Sequence, residues 1–361
     1  MSPSPHLLLA LSGHGYGHLA QCAPVLNALW RQLPALRVTV CSSLPGEVIA
    51  ARLDRPFTGR AVDLDVVLPM SSAWEVDVPA ARQAYTVFHR AYDAGLQGDL
   101  DLLGEVRPDL VLADIPYRIL SAASLAGVPA VALCSLNWAS IYAAYCSDAD
   151  GSAAILEKMW AGYRAAQVFL TPAPAMEMPE LANCRAIGPI ARKGVPQRPM
   201  LLERMGLAPG TRLVMVALGG IATALPLENW PRMHDVAWLF SAPVAVPRDD
   251  LFDFSALPLA FIDVLASSDA VLTKPGYGTY TEAVCNAVPL LTLERPDWPE
   301  TAGLNAWARR YGRLQTIGKE AFESGLFVEA LQRLWRQPEP AAALEPAGIE
   351  QAAGVLLEML R

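Results

Sequence analysis

Ala270-Val-Leu-Thr-Lys-Pro-Gly-Tyr-Gly-Thr-Tyr-Thr-Glu282 sets a short apolar run against a glycine turn and continues into a helix-like segment. Strand, glycine turn and helix in that order make up the unit from which parallel α/β sheets are built. Glycine at such a turn permits positive φ and lets a ligand approach the backbone closely. The helix that follows turns unsatisfied N–H groups and a partial positive charge toward the same place. The tripeptide Gly-Tyr-Gly occurs once more, in Leu7-Leu-Leu-Ala-Leu-Ser-Gly-His-Gly-Tyr-Gly-His18. Two such turns, one in each half, predict an α/β protein of two doubly wound, Rossmann-like domains facing one cleft, with ligands at the carboxyl ends of the strands.

Working outward, apolar runs alternate with helix-length segments. Strands are expected at Leu7–Leu11, Val38–Cys41, Asp65–Leu68, Leu110–Ala113, Ala130–Leu133 and Val168–Leu170, and helices at Leu19–Gln32 and Ala80–Val106. The segment 188–199 holds three prolines and two glycines and reads as an interdomain linker. A second series follows, with strands at Leu213–Leu218, Pro243–Val246, Ala270–Thr273 and Leu290–Leu293 and helices at Lys319–Arg336 and Glu350–Arg361. The expected organisation is an N-terminal domain over 1–190, a C-terminal domain over 200–345, and a helix over 346–361 free to pack back on the N-terminal domain.

Composition narrows the function. The 361 residues are 53% apolar and 18% charged, enough for two full cores and too apolar for disorder. A net charge of −8 and no basic run argue against a nucleic-acid partner. The six cysteines form no Cys-x-x-Cys pair, so reduced thiols in a cytoplasmic protein are expected rather than a zinc cluster or a disulfide framework. No Lys or Arg precedes Leu7, which fits a first strand better than a signal peptide. Residues 119–147 carry no charge, but Gly127, Pro129, Ser135 and Asn137 divide them into helix, turn, buried strand and loop. The apolar loop at Trp138–Tyr145 offers the N-terminal domain a seat for a greasy acceptor or a peripheral membrane contact. Neither glycine turn is Gly-x-Gly-x-x-Gly, and the second strand ends in Cys41-Ser-Ser with no acidic residue, which disfavours a dehydrogenase. The absence of Gly-x-x-x-x-Gly-Lys-Ser/Thr disfavours a P-loop kinase.

Chemistry concentrates in four segments. Gly276 and Gly278 free backbone N–H groups, Thr279 and Thr281 supply cap-type oxygens, and Glu282 lies one turn into the helix, where a carboxylate can bridge vicinal hydroxyls or close a capping box with Thr279. Lys274 either reaches a diphosphate or stays solvated on the rim. Val216-Ala-Leu-Gly-Gly-Ile-Ala-Thr223 ends a strand in Gly219-Gly220, and Glu294-Arg-Pro-Asp-Trp-Pro-Glu300 follows another. In the first half, His14 and His18 share one turn although the chain has five histidines in all. A neutral imidazole can take a proton from a hydroxyl. Asp114, ending a strand, can orient such a histidine, act as base itself, or cap the next helix at Ile115-Pro116.

Residues 268–289 resemble the donor-binding signature of GT-B glycosyltransferases, especially the group that contains MurG, and are similar to the glycosyltransferase-like domain fused to plant L-arabinokinase, with which they share Gly-Tyr-Gly-Thr-x-x-Glu-Ala. The resemblance implies that Gly276, Tyr277, Gly278, Thr279 and Glu282 hold the nucleotide, with Glu282 on the ribose, and that Gly219 and Gly220 lie in a diphosphate loop. It also places Asp297 and Glu300, with Asn305 beyond them, at the donor sugar. The family often has Gln or Asn there, which leaves the sugar open. Aligning glycine with glycine sets His18 on the family's histidine. The activity so implied is an inverting, metal-independent glycosyl transfer from a nucleotide-diphosphate sugar, UDP-linked, to an unknown hydroxyl acceptor, with no separate cofactor. Asp63-Leu-Asp65 and Asp148-Ala-Asp150 then need no metal role. A sugar-nucleotide hydrolase or epimerase of the same fold, or a non-catalytic nucleotide-sugar-binding module, stays open.

Overall fold

Leu7–Leu11, Leu110–Ala113 and Ala130–Leu133 are wholly buried, as continuous apolar strands covered on both faces must be. The computed structural model describes residues 4–72, 75–219 and 225–361. The chain divides into two compact units, one running to Ile190 and including Ala347–Arg361, the other spanning Ala191–Pro346.

The first unit is built on a seven-stranded sheet in the order Thr58–Ala61, Arg37–Ser42, His6–Leu11, Leu110–Asp114, Ala130–Leu133, Val168–Pro172, Cys184–Ile187, every pair parallel. From its first strand the chain moves outward through two more, then returns to the other side of the first. The reversal, between His6–Leu11 and Leu110–Asp114, is where an open α/β sheet leaves a crevice for ligands. The C-terminal helix Gly348–Met359 packs on helix Gly17–Gln32. Gly188 N donates to Gln351 Oε1 at 2.7 Å, and a side chain on Gly348 would strike the Gly188 carbonyl.

The second unit repeats the scheme with six parallel strands in the order Leu251–Asp253, Val236–Phe240, Arg212–Ala217, Ala270–Thr273, Leu290–Leu293, Leu314–Ile317. Its reversal lies between Arg212–Ala217 and Ala270–Thr273. One aromatic group of its interior sets Trp230 against Trp238, Phe322 and Phe327, with ring centroids 5.2–5.7 Å apart.

Several expected elements differ. Asp65–Leu68 is irregular; its neighbours Leu64, Val66 and Leu68 are buried, but the third strand is the exposed edge segment Thr58–Ala61, which carries no apolar run. Pro243–Val246 is not a strand either. Prolines 243 and 247 remove ladder donors there, and the buried Val236–Phe240 takes the sheet position. The segment 80–106 forms two helices, Val78–Arg90 and Tyr92–Val106, and 319–336 breaks at Gly325, whose φ is +76°. Trp138–Cys146 is a helix, not a loop. Asn137 caps it by accepting from Ser140 N, and Trp138, Ile141 and Tyr142 are buried, which withdraws them from any membrane surface. Among the described residues no helix is long and apolar enough to cross a membrane.

Candidate functional site

At the reversal of the first sheet, Ser12 N donates to the Asp114 carbonyl at 2.8 Å and so ties the two central strand ends together. The chain then turns through Gly15, whose φ of +69° suits glycine, and enters helix Gly17–Gln32. His18, the second residue of that helix, points back at the strand end, and its Nδ1 lies 2.8 Å from Asp114 Oδ1. Both side chains are nearly or wholly buried, at 5% and 0% exposure. With Nδ1–H donating to the carboxylate, Nε2 keeps its lone pair, the state of a general base. Asp114 does not cap the next helix, where Pro116 holds the cap position and no side chain bonds to it.

A shell surrounds the pair. The Cys22 thiol donates to Asp114 Oδ2 at 3.3 Å, and Cys134 Sγ lies 3.8 Å from His18 Nδ1. Gln21 Nε2 donates to the Cys134 sulfur at 3.6 Å while its Oε1 accepts from Ser135 N at 3.1 Å. The Trp138 ring stands against both histidines, 5.3 Å from His14 and 5.5 Å from His18. Its indole N–H donates to Asp65 Oδ2 at 2.8 Å. Burial pushes the Asp65 carboxyl up to about 6, against hydrogen bonds from Ser12 and Trp138 and the His18 charge, with the Asp114 charge adding to the rise. His14 is half-buried, its ring 6.5 Å from that of His18. The structure thus brings His14, His18 and Asp114 together and adds Asp65, Trp138, Gln21, Cys22 and Cys134. Asp65 belongs to the Asp63-Leu-Asp65 spacing, whose sequence pattern alone does not point to this cluster.

At the reversal of the second sheet, Thr273 Oγ1 donates to the Ala217 carbonyl at 2.7 Å. Gly219 follows at φ +88°, and a Cβ there would lie 3.3 Å from Lys274 Cε, so the lysine stem passes directly over the glycine. Gly220 lies outside the described residues. Burial, and then the charge of Arg295, lower the Lys274 amine to about 8. Arg295 is itself buried, and its guanidinium lies 4.2 Å from the centre of the Trp298 ring. Trp298 Nε1 donates to Glu300 Oε2 at 3.0 Å, which fixes Glu300, a buried residue, at the start of helix Thr301–Tyr311. Asp297 is exposed on the same loop.

The glycine turn before helix Tyr277–Cys285 is less strained than expected. Gly276 has an extended φ of −169° and neither it nor Gly278 has positive φ, so the backbone conformation here does not require glycine. Thr279 sits inside the first turn and no side chain caps the helix, so there is no capping box. Thr281 is buried, its hydroxyl donating back to the Tyr277 and Gly278 carbonyls at 3.0 and 3.1 Å. Tyr277 is buried. Glu282 accepts from Arg192 Nε at 2.9 Å. Asn305 is buried, accepting from the Tyr280 hydroxyl at 2.7 Å.

The two doubly wound sheets share the order of six strands, the first having a seventh, and each carries a polar cluster at its reversal. No protein-family model matches the chain. A UDP-glucosyltransferase from Polygonum tinctorium superposes over 99% of this chain and 99% of its own with a TM-score of 0.63, at 15% sequence identity. The fold is GT-B. Among relatives by sequence, L-arabinokinase of Arabidopsis thaliana is 26% identical over 304 residues, which is 81% of this GT-B chain but 28% of the kinase. This chain therefore spans little more than a quarter of that relative. An uncharacterised glycosyltransferase of Methanopyrus kandleri is 21% identical over 281 residues, 73% of this chain and 79% of that protein.

Proposed function

We propose that this GT-B chain is an inverting, metal-independent glycosyltransferase that moves a sugar from a nucleotide-diphosphate donor, UDP-linked, to a hydroxyl acceptor. The observation that carries the proposal is the buried pairing of His18 Nδ1 with Asp114 Oδ1 at 2.8 Å, at the ligand end of the first sheet. In that reaction His18 Nε2 takes the proton of the acceptor hydroxyl as its oxygen attacks the anomeric carbon. Asp114 holds the ring in the right tautomer and balances the imidazolium that forms. His14, half-buried, is assigned to the acceptor side, with the buried Trp138 packed behind both histidines. Attack opposite the leaving group inverts the anomeric centre in one displacement.

The second unit is assigned the donor. Lys274 and the backbone N–H groups around Gly219 and Gly276 face the charge that grows on the departing diphosphate, a role suited to fixed dipoles and cations. Glu282 is assigned to the ribose hydroxyls, and the loop with Asp297 and Glu300 to the sugar. His18 and these groups supply the base and the leaving-group charge, so the proposed step asks for no metal.

The test is incubation with a panel of nucleoside-diphosphate sugars, with nucleotide release followed with and without hydroxyl acceptors. Release that requires an acceptor, with a product of inverted anomeric configuration, is the expected result. Release without an acceptor would make the chain a hydrolase, and an isomerised donor would make it an epimerase. Ligand-induced thermal stabilisation with no turnover would make it a binding module.

A further inference from the structure

His18, Asp114 and Cys134 hold an imidazole nitrogen, a carboxylate oxygen and a thiol sulfur within 4.8 Å of one another, all buried. The nitrogen stands 2.8 Å from the oxygen and 3.8 Å from the sulfur. Ligands at about 2.0–2.3 Å from a tetrahedral zinc ion stand roughly 3.3–3.6 Å apart, so the nitrogen–oxygen and nitrogen–sulfur separations would change by about half an ångström or less, and the oxygen–sulfur separation, within 4.8 Å, would close by at most about 1.5 Å to seat one ion. The three residues come from a helix, a strand end and the residue after another strand, and three protein ligands are the number found in zinc sites that keep their fourth position for water or another ligand. A mixed nitrogen, sulfur and oxygen set selects a zinc-like ion over magnesium or calcium.

The surrounding bonds suit that use. The Cys22 thiol donates to the second oxygen of Asp114 and orients the carboxylate, and the Gln21 amide donates to the Cys134 sulfur, a contact that strengthens when the sulfur is a thiolate. Cys134 has no part in the proposed glycosyl transfer, although its sulfur lies against the base.

We propose that His18, Asp114 and Cys134 form a binding site for one zinc-like divalent cation, and that filling it switches the site off. On binding, Cys134 releases its thiol proton to solvent and the sulfur bonds the ion. The imidazole proton moves from Nδ1 to Nε2, and the freed Nδ1 lone pair bonds the ion in place of the Asp114 hydrogen bond. Nε2 then carries a hydrogen and has no lone pair with which to accept the acceptor's proton. The inhibitory half rests on His18 acting as the base; the binding half does not.

The experiment titrates the reduced, metal-free full chain with Cd2+ and Zn2+. Cadmium–thiolate absorption, proton release and stoichiometry are recorded, with nucleotide release from a donor sugar followed in parallel. The expected result is one tight Cd2+ per chain with about one proton released. Cys134→Ser removes the thiolate band and weakens binding at least tenfold, and His18→Gln weakens it similarly. Cys184→Ser, which changes a partly exposed thiol outside the site, leaves both unchanged. Full affinity and an intact band in Cys134→Ser, or their loss in Cys184→Ser, would overturn the site. If melting shows that Cys134→Ser does not fold, Cys134→Ala and His18→Gln give the same discrimination. Tight Cd2+ binding through Cys134 in a chain with no turnover keeps the site and rejects the transferase. Turnover that persists with the site filled rejects the inhibition.

Discussion

The two sheets reverse direction at the same place in an order shared over six strands, yet the polar groups gathered there have opposite character. In the first unit the reversal holds an imidazole between carboxylates, His18 with Asp114 at 2.8 Å and Asp65 behind Trp138. In the second it holds two cations, Lys274 over Gly219 and Arg295 close enough to lower its pKa. Topology supplies the crevice in both cases; the side chains decide what it accepts. An acidic cluster around a histidine suits proton abstraction from a neutral hydroxyl. Buried cations beside backbone N–H groups suit a polyanion. The comparison is sharpest if each half can be damaged without the other.

The largest effect is expected at the first reversal. His18→Ala should lower kcat by about 10²–10⁴, the range for removal of a general base, while nucleotide affinity measured by calorimetry stays within about twofold. Unchanged turnover would end the assignment of His18 as base, and a parallel loss of nucleotide affinity would show that the two reversals do not divide the work.

The acidic character of that half makes a stability prediction. Asp65 titrates at about 6 in the folded chain, above the 3.8 of an unperturbed carboxyl. Between those values the folded state binds more protons than the unfolded one, so this contribution is fully present below about pH 4 and is lost as pH rises through 6. Asp65→Asn keeps an oxygen for the Trp138 N–H and removes the buried charge. It should leave stability at pH 4 nearly unchanged and raise it at pH 7 by as much as about 3 kcal/mol. Urea midpoints at the two pH values decide it, and an equal change at both would mean that the Asp65 charge is not the cause.

The basic character of the other half makes the mirror prediction. Lys274 is lowered to about 8 from 10.5. In the unliganded fold this costs stability below about pH 8, and the loss is recovered as pH rises toward 10.5. A bound diphosphate favours the charged amine, so affinity for a nucleoside diphosphate should fall as pH rises above 8. Lys274→Met should weaken binding by about tenfold or more at pH 7, on the scale of one charged hydrogen bond, and flatten that profile. A profile as steep in the variant as in the parent would remove Lys274 from the anion site.

What the sequence disclosed follows from burial and from separation along the chain. The central strands were readable because strands covered on both faces are nearly pure Leu, Val and Ala. The edge strands Thr58–Ala61 and Leu251–Asp253 have no such run, and Cys184–Ile187 is only partly buried. Val236–Phe240 carries the same apolar run and is buried, whereas the neighbouring Pro243–Val246 has a proline at its start and another just beyond its end. His18 and Asp114 were visible because each lies just beyond an apolar run, where a doubly wound sheet presents side chains to ligand. The places of Asp65, Cys134 and Trp138 in this cluster were not, since they depend on pairings such as Trp138 with Asp65 across 73 residues, and no local pattern encodes them. Arg295 lies within Glu294–Glu300, but its role depends on its nearness to Lys274 and its packing on Trp298, which the residues of that segment do not reveal.

Glu282 gives the smallest expected effect and the finest distinction. Its carboxylate accepts from Arg192, whose side chain is 46% exposed. An ion pair with one partner so open to water contributes at most about 1 kcal/mol. If pairing is all that Glu282 does, Glu282→Ala and Arg192→Ala should cost the same small amount of stability and leave nucleotide affinity alone. If Glu282 also holds the ribose, the two variants part company. Glu282→Ala should weaken nucleotide binding about tenfold, the loss of one or two hydrogen bonds. Arg192→Ala frees the carboxylate for the hydroxyls and should leave affinity unchanged or improve it. A ribose-lacking diphosphate should then bind Glu282→Ala and the parent equally. Equal weakening by both variants would instead make Arg192 part of the ligand contact and give the second reversal a third cation.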